Sequence, residues 1–242
     1  MVEAIILRTW PVHEADQIVS FFTRDQGKLK GMAKSAAKSR RRFGGALEPM
    51  THVLASYVEK PRQELVRLDA CEILASPLSE PVDYGRAAAL AFLAEVLEET
   101  LQDHDPQEAV FRLALTVLHE TRTEQIWLPV TYFGLWMVRL MGWMPEIGRC
   151  TDCGRPFAGG PAYFEAERDG LVCAEHRHPA ARALSPDSLK AAARMFREPI
   201  AALAVEEWPR NRAADLRRFA VQGLERHLEK RLRSAQALRR MG

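Results

Sequence analysis

The chain has 242 residues, 47% of them hydrophobic and 27% charged, which is enough for one large domain or two modest ones with real cores. Its net charge is only +2, so bulk charge is excluded as a means of attracting polyanions, and any such attraction must come from uneven distribution. The first residues carry Glu3 in a merely strand-length apolar run, unlike a secretory signal, and the longest apolar stretch (residues 126–138, interrupted by Pro129) is too short to span a bilayer.

In chain order, residues 4–9 (AIILRT) and 17–22 (QIVSFF) are short and rich in β-branched and aromatic side chains, which predicts two strands. TRDQG at 23–27 supplies a hairpin turn in which Gly27 takes positive φ. Residues 28–33 return as a third strand, with Leu29 facing the core and Lys28 and Lys30 facing out. Residues 52–58 and 64–70 predict a fourth and a fifth strand, with Pro61 in their connection. Five short strands, with a longer excursion between the third and fourth, match a small Greek-key barrel of the oligonucleotide-binding (OB) type.

That excursion is strongly basic. Lys28, Lys30, Lys34, Lys38, Arg40, Arg41 and Arg42 fall within fifteen residues that contain no acid. Counted from 24 to 42 there are eight bases and one acid; residues 83–149 hold ten acids and five bases; residues 210–240 hold ten bases and three acids. Charge is therefore assigned by region. The Ser and Ala neighbours of the seven cations leave their heads open to a rail of phosphates, whose neutralisation makes binding steeply salt-dependent. A solvated loop has the same composition, and the OB-type setting tips the reading towards nucleic acid. Trp10, Phe21, Phe22, Phe43 and Tyr57 lie nearby as stacking surfaces or as core residues.

From about residue 81 the texture changes. Apolar residues recur at helical spacing over 87–101, 109–118 and 131–141, which predicts a helical bundle. Asp105 before Pro106 reads as a helix N-cap, Ser185-Pro186-Asp187 opens a later helix, and Asn211 caps the last. In that last segment Leu216, Phe219, Leu224, Leu228, Leu232 and Leu238 form an apolar stripe with arginines on the other faces, the mark of a packed helix with a basic back.

Between the helices, Cys150, Cys153, Cys173 and His176 are spaced C-x2-C-x19-C-x2-H. Two residues between paired ligands let both donors converge on one tetrahedral ion, and four protein ligands make a closed, structural zinc site. His178 competes for the fourth position, and the matching spacing favours His176. Cys71, at the end of a predicted strand, reads as a small buried hydrophobe. The expected class is α+β: an OB-type barrel over 1–80, then a helical domain over 81–242 with a zinc-binding insert at about 148–180.

Catalytic patterns do not converge. HEAD at residues 13–16 groups an imidazole with two carboxylates but sits in a strand connection without a partner cluster. No Walker phosphate loop or G-x-S-x-G elbow occurs, and the acids are scattered rather than gathered around a divalent metal. The residues read as a binding protein, not an enzyme.

Taken together, EAIILRTWPVHEADQIVSFFTRDQGKLKGMAKSAAKS resembles the amino-terminal region of the bacterial RecO family of DNA repair proteins. The family's features stand here as Glu14, Asp16, the strand from Ile18 to Phe22, Thr23, Gly27 and the basic run to Lys38. RRFGGALEPMTHV is similar to its R-F-x-x-x-L-x-P passage, through Arg42, Phe43, Leu47 and Pro49. The cysteine insert is similar to the family's zinc module, with His176 where the commoner pattern has a final cysteine. The resemblance implies an ATP-independent recombination mediator of the cytoplasm and nucleoid, with no membrane partner. Such a protein binds single- and double-stranded DNA, anneals complementary strands, and acts with RecR to load RecA on strands coated by single-strand-binding protein, whose tail it contacts. A zinc-ribbon RNA-binding accessory protein and, further off, a metal-dependent nuclease are the alternatives.

Overall fold

The computed structural model describes residues 1–12, 14–59, 63–123 and 125–241, so His13 and Pro61 lie outside the described residues. Five strands, β1 (Val2–Pro11), β2 (Gln17–Thr23), β3 (Gly27–Ala33), β4 (His52–Val58) and β5 (Val66–Ala75), close into a barrel in the order β1-β2-β3-β5-β4. Neighbours run antiparallel except β3 and β5, which pair in parallel through Gly31 with Val66 and Met32 with Arg67. The period-2 pattern explains the closure. Ala4, Ile6, Val19, Phe21, Leu29, Ala33, Val53, Ala55, Val66 and Leu68 point inward and form one core. Cys71 joins it, and burial pushes its thiol up to about 12, as expected of an inert apolar residue.

The basic excursion is folded against the barrel. It forms a 3-10 turn (Ala36–Lys38) and a short helix, α1 (Arg40–Phe43). Ala36, Phe43, Ala46 and Leu47 are buried in the barrel core, so the apolar residues scattered among the cations fix the backbone that carries them.

Two helices, α2 (Tyr84–Thr100) and α3 (Glu108–Glu120), pack with the barrel. Asp83 caps α2 by accepting the Arg86 N–H at 2.7 Å. Phe111 of α3 meets Phe22 of β2 edge-to-face at 5.4 Å. Asp105 does not cap α3, which begins after Gln107 without a side-chain cap. Residues 103–105 are engaged elsewhere: the His104 N–H bonds the Lys28 carbonyl at 3.0 Å along the β3 edge. A Cβ on Gly27, whose φ is +73°, would fall 2.4 Å from the Asp105 nitrogen, so glycine answers both the turn and the close approach.

Residues 1–122, with the C-terminal residues from Gln236, form one compact unit, and residues 123–235 form a second. The boundary expected at 80/81 falls just after β5, and α2 and α3 beyond it group with the barrel. The second unit contains α4 (Trp127–Leu140), the two-stranded β6 (Ala162–Phe164) and β7 (Arg182–Leu184), α5 (Pro186–Met195), α6 (Ile200–Leu203) and α7 (Ala214–His227); α8 (Arg233–Arg240) follows. Phe164 packs edge-on against Phe219 at 5.3 Å. Ser185 caps α5 by accepting the Ser188 N–H at 3.2 Å, as read from the sequence, a contact worth about 1 kcal/mol.

Asn211 does not cap a helix. α7 starts after Ala213, which adopts φ 53°. Nor is the C-terminal stripe one helix. Glu229 takes φ 51°, its N–H bonds the Arg226 carbonyl, and Lys230 N–H returns to the Glu225 carbonyl, both at 3.1 Å. This is a Schellman closure without glycine. The Glu225 carboxylate holds the reversal by accepting from Arg231 at 2.9 Å and from the Leu232 N–H at 3.1 Å. No helix among the described residues is long and apolar enough to cross a membrane.

Candidate nucleic-acid interface and metal centre

The seven cations of the basic stretch fall into three groups. Lys28 and Lys30 leave the outer side of β3, as strand alternation requires. Lys28 is only 7% exposed; its ammonium donates to the Glu98 carbonyl at 2.7 Å and lies 3.4 Å from Asp103. Lys30, more exposed, reaches the other Asp103 oxygen at 3.3 Å. Burial by itself would raise the Asp103 carboxyl, but the charges of Lys28 and Lys30 outweigh it and hold the group below its ordinary value.

Arg42 forms the second group. Its guanidinium donates to Ser39 Oγ at 2.9 Å and to the Lys34 carbonyl at 2.7 Å, and it lies over the Phe43 ring at 5.1 Å. Here it closes the turn on itself.

Lys34, Lys38, Arg40 and Arg41 make up the third. All four are exposed, and among the described residues none has an ion-pair or hydrogen-bond partner for its side chain. Their placement is fixed from the β1–β2 connection. Asp16 Oδ1 accepts the N–H of Ser35, a residue in the left-handed region at φ 54°, at 2.7 Å, and the Ala37 N–H bonds the Ala15 carbonyl at 3.1 Å. Asp16 of the HEAD motif is thus an anchor for the cationic turn.

The aromatics separate as sharply. Phe21 and Phe22 are fully buried and Phe43 nearly so, while Tyr57 packs edge-on against Phe21 at 5.8 Å. Trp10 remains partly exposed on the outer face of β1, with the Arg8 guanidinium 5.0 Å above its ring. Arg8 was not singled out from the sequence; the available signal was its two-residue spacing from Trp10, which puts both on one strand face.

The arginines of the C-terminal basic stretch are differently disposed. Arg212 pairs with Glu206 and covers the Trp208 ring at 4.2 Å. Arg217 donates to Thr131 Oγ at 3.0 Å and to the Arg212 carbonyl at 3.2 Å, and stacks on Trp127 at 4.6 Å. Burial, and after it the neighbouring charges of Arg218 and Arg210, pull its guanidinium down to about 10 against the opposing charge of Asp215. Arg226 pairs with Asp169 and donates to the Arg168 carbonyl at 2.5 Å.

In the second unit, Cys150, Cys153, Cys173 and His176 converge until one donor atom from each lies within 4.8 Å of all the others. His176 presents Nδ1, 3.1 Å from the Cys173 sulfur and 3.9 Å from that of Cys150. The first pair sits on a tight turn in which Gly154 N–H bonds the Cys150 carbonyl at 2.9 Å. The second is brought to it through Thr151 N–H and the Leu171 carbonyl at 2.9 Å. A Cβ on Gly170, at φ +99°, would strike Thr151 at 2.3 Å, so that crossing admits only glycine.

Burial opposes a charged Cys150 sulfur, yet hydrogen bonds from the backbone of Cys153, Cys173 and Asp152 and from the Cys153 side chain bring its thiol down to about 6. A thiolate-ready sulfur among three further soft or borderline donors fits a tetrahedral metal ion, whose sulfur ligands stand about 3.8 Å apart. His178 is outside the cluster; its ring accepts the Ala180 N–H at 3.3 Å. Among the described residues this is the one group of three or more His, Cys, Asp or Glu able to hold a metal.

Comparison with known proteins covers nearly the whole chain. The family model described as recombination protein O N terminal matches residues 1–77, and that described as recombination protein O C terminal matches residues 81–236. A protein of Koribacter versatilis named DNA repair protein RecO is 54% identical over 230 residues, covering 95% of this chain and 94% of its own. Proteins of the same name from Anaeromyxobacter sp. strain K (31% identity, 98% of this chain and 95% of that one) and Syntrophobacter fumaroxidans (33%, 76% and 74%) are also similar.

Proposed function

The chain belongs to the recombination protein O family, and from that premise we propose that it is a DNA repair and recombination mediator. In this reading it binds single- and double-stranded DNA without sequence preference, anneals complementary strands without ATP, and with RecR promotes RecA loading on strands coated by single-strand-binding protein. It works in the cytoplasm at the nucleoid. Residues 1–80 carry the nucleic-acid function, and residues 81–242 offer surfaces to RecR and to the tail of single-strand-binding protein.

The observation that carries this reading is the set of four exposed cations, Lys34, Lys38, Arg40 and Arg41, without a side-chain partner among the described residues, on a turn anchored to a closed barrel. Cations held by backbone anchors but free at their heads can follow a phosphate rail whatever its bases. Once one strand is neutralised, a complementary strand approaches against weaker repulsion, which is the physical requirement for annealing. Arg42 and Lys30 border the rail, and Lys28 lies deepest, held by α2 and Asp103.

The metal is assigned as zinc, held by Cys150, Cys153, Cys173 and His176. With no ligand position left open, it supplies a cross-link that orders residues 150–176 and no chemistry of bond breaking.

The test is annealing of complementary oligonucleotides, with and without ATP, over a salt series. ATP-independent acceleration that fades as salt rises is expected. No acceleration at low salt, or a preference for structured RNA over single-stranded DNA in direct competition, overturns the reading; cleavage of labelled DNA in Mg²⁺ would replace it by a nuclease.

A further inference from the structure

The partly exposed outer face of β1, β2 and β3 carries a row of side chains that the phosphate rail does not use. Thr9, Val19, Gly31 and Val66 stand opposite one another along the inward row. One position along each strand, Trp10 pairs with Ile18, Ile18 with Met32, and Met32 with Arg67. Strand alternation puts this second row on the outside, where adjacent strands lie about 4.8 Å apart, so Trp10, Ile18 and Met32 form an apolar strip about 10 Å wide.

Towards α2 and α3 the outer face is covered, apart from the exposed Arg8. The row of Ile5, Phe22 and Lys28 is buried, with Phe22 against Phe111 and Lys28 on α2. In the next row, Ser20 donates to Glu98 at 2.5 Å and Lys30 meets Asp103. Cover stops at the row of Trp10, Ile18 and Met32, each of which keeps partial exposure.

Cations frame this strip. Arg8 lies over the Trp10 ring, Arg67 ends the row, and Lys34 follows Met32 by two residues. The bonds of Asp16 to Ser35 and of Ala15 to Ala37 bring the cationic turn beside the end of β1 that carries Trp10. Arg67 is already paired with Asp69 at 2.8 Å, which leaves Arg8 and Lys34 as the flanking cations without a carboxylate partner among the described residues.

We propose that this strip is a base-stacking platform for single-stranded DNA, with the Trp10 ring receiving an unstacked base while the neighbouring cations hold its phosphates. The proposal rests on the nucleic-acid reading above and adds where the bases go. An aromatic face beside a cationic groove accepts any base, which suits binding without sequence preference. Duplex DNA keeps its bases stacked inside and cannot use the platform, so Trp10 separates single from double strands.

The test measures equilibrium binding of a labelled oligo-dT, an abasic phosphodiester of equal length, a duplex and oligo-U. Wild-type protein should bind oligo-dT between about fivefold and about a hundredfold more tightly than the abasic chain. Trp10→Ala should reduce oligo-dT affinity to the abasic level and leave the duplex unchanged, while Trp10→Phe keeps most of the difference. Trp10→Leu, which retains apolar cover without a π-face, carries the test if alanine lowers the melting temperature. Unchanged oligo-dT affinity in Trp10→Ala, an equal loss on abasic chain and duplex, or a loss confined to oligo-U overturns the platform while the phosphate reading stands. Failure of wild-type protein to bind any oligonucleotide overturns both.

Discussion

Residues 24–42 and 210–240 carry the same excess of seven positive charges, and net charge alone does not separate them. Their surroundings do. In the C-terminal stretch Arg212, Arg217, Arg226 and Arg231 are held by Glu206, backbone carbonyls, Asp169 and Glu225, and two of them lie on tryptophan rings. In the first stretch, four cations rise from a turn whose backbone is pinned by Asp16 and Phe43 and whose side chains meet no partner among the described residues. A basic run is therefore available to an external anion only where the fold has supplied no internal one. That difference predicts that changing the four cations of the turn alters binding, and that changing the held Arg212, Arg217, Arg226 or Arg231 alters stability.

The largest effect tests the first half of that comparison. Replacing Lys34, Lys38, Arg40 and Arg41 together by Glu should lower single-stranded DNA affinity about a thousandfold at moderate salt and flatten the salt dependence, by a slope of about 3 for four lost phosphate contacts. The melting temperature should stay within a degree or two, because none of the four side chains holds the fold. Retained affinity would mean that the exposed cations are a solvated surface after all.

The second half is tested by loosening what holds the C-terminal arginines. α7 is bound to the cysteine module through Gln222 on the Glu165 carbonyl at 2.5 Å and Arg226 on the Arg168 carbonyl at 2.5 Å. Cys150→Ser, or metal removal by chelation, should cost about 3 kcal/mol or more and broaden thermal unfolding, while oligonucleotide affinity measured on the still-folded protein at low temperature is kept. Loss of DNA binding without loss of stability would assign the metal to the interface instead. A smaller effect is expected for Arg217→Met, about 2 kcal/mol, from the charged hydrogen bonds to Thr131 and two carbonyls. DNA affinity should not move, and a drop in it would show that this half-buried arginine reports on the binding surface.

How far these surfaces were legible depended on the range of the contacts that make them. The barrel was readable because QIVSFF is a short run of β-branched and aromatic residues and KLKGMA alternates over a few residues, and the four metal donors because paired spacing is itself local. Lys28 was not, since its partners lie seventy or more residues away, at Glu98 and Asp103. The Asp105 cap failed for the same reason: its neighbour His104 is tied to β3, which delays α3 to Glu108. The single C-terminal helix failed because Glu229 takes a left-handed conformation where a glycine would have announced the break, and the buried Glu225 carboxylate enforces it. The anchoring role of Asp16 is not legible in HEAD, because side chain to backbone bonds leave no composition signal.

The smallest effect sits where the two behaviours meet, on Lys30, which is half-exposed yet paired with Asp103. Asp103→Asn removes the internal anion while keeping the shape. Exposure limits the share of the Lys30–Asp103 pair to about 0.5–1 kcal/mol, and the buried Lys28, which loses its counter-ion, adds to the cost. Because the lysines hold the folded-state carboxyl below its unfolded value, this contribution is fully present above the ordinary carboxylate range and is lost only as pH falls through the lowered value. The stability gap between wild type and Asp103→Asn should therefore be constant from pH 8 to pH 5 and close only in stronger acid. At neutral pH the freed Lys30 should join the rail, raising single-stranded DNA affinity about twofold and steepening the salt slope by about 0.7. An unchanged slope would place Lys30 with the C-terminal arginines, as a cation whose only role is internal.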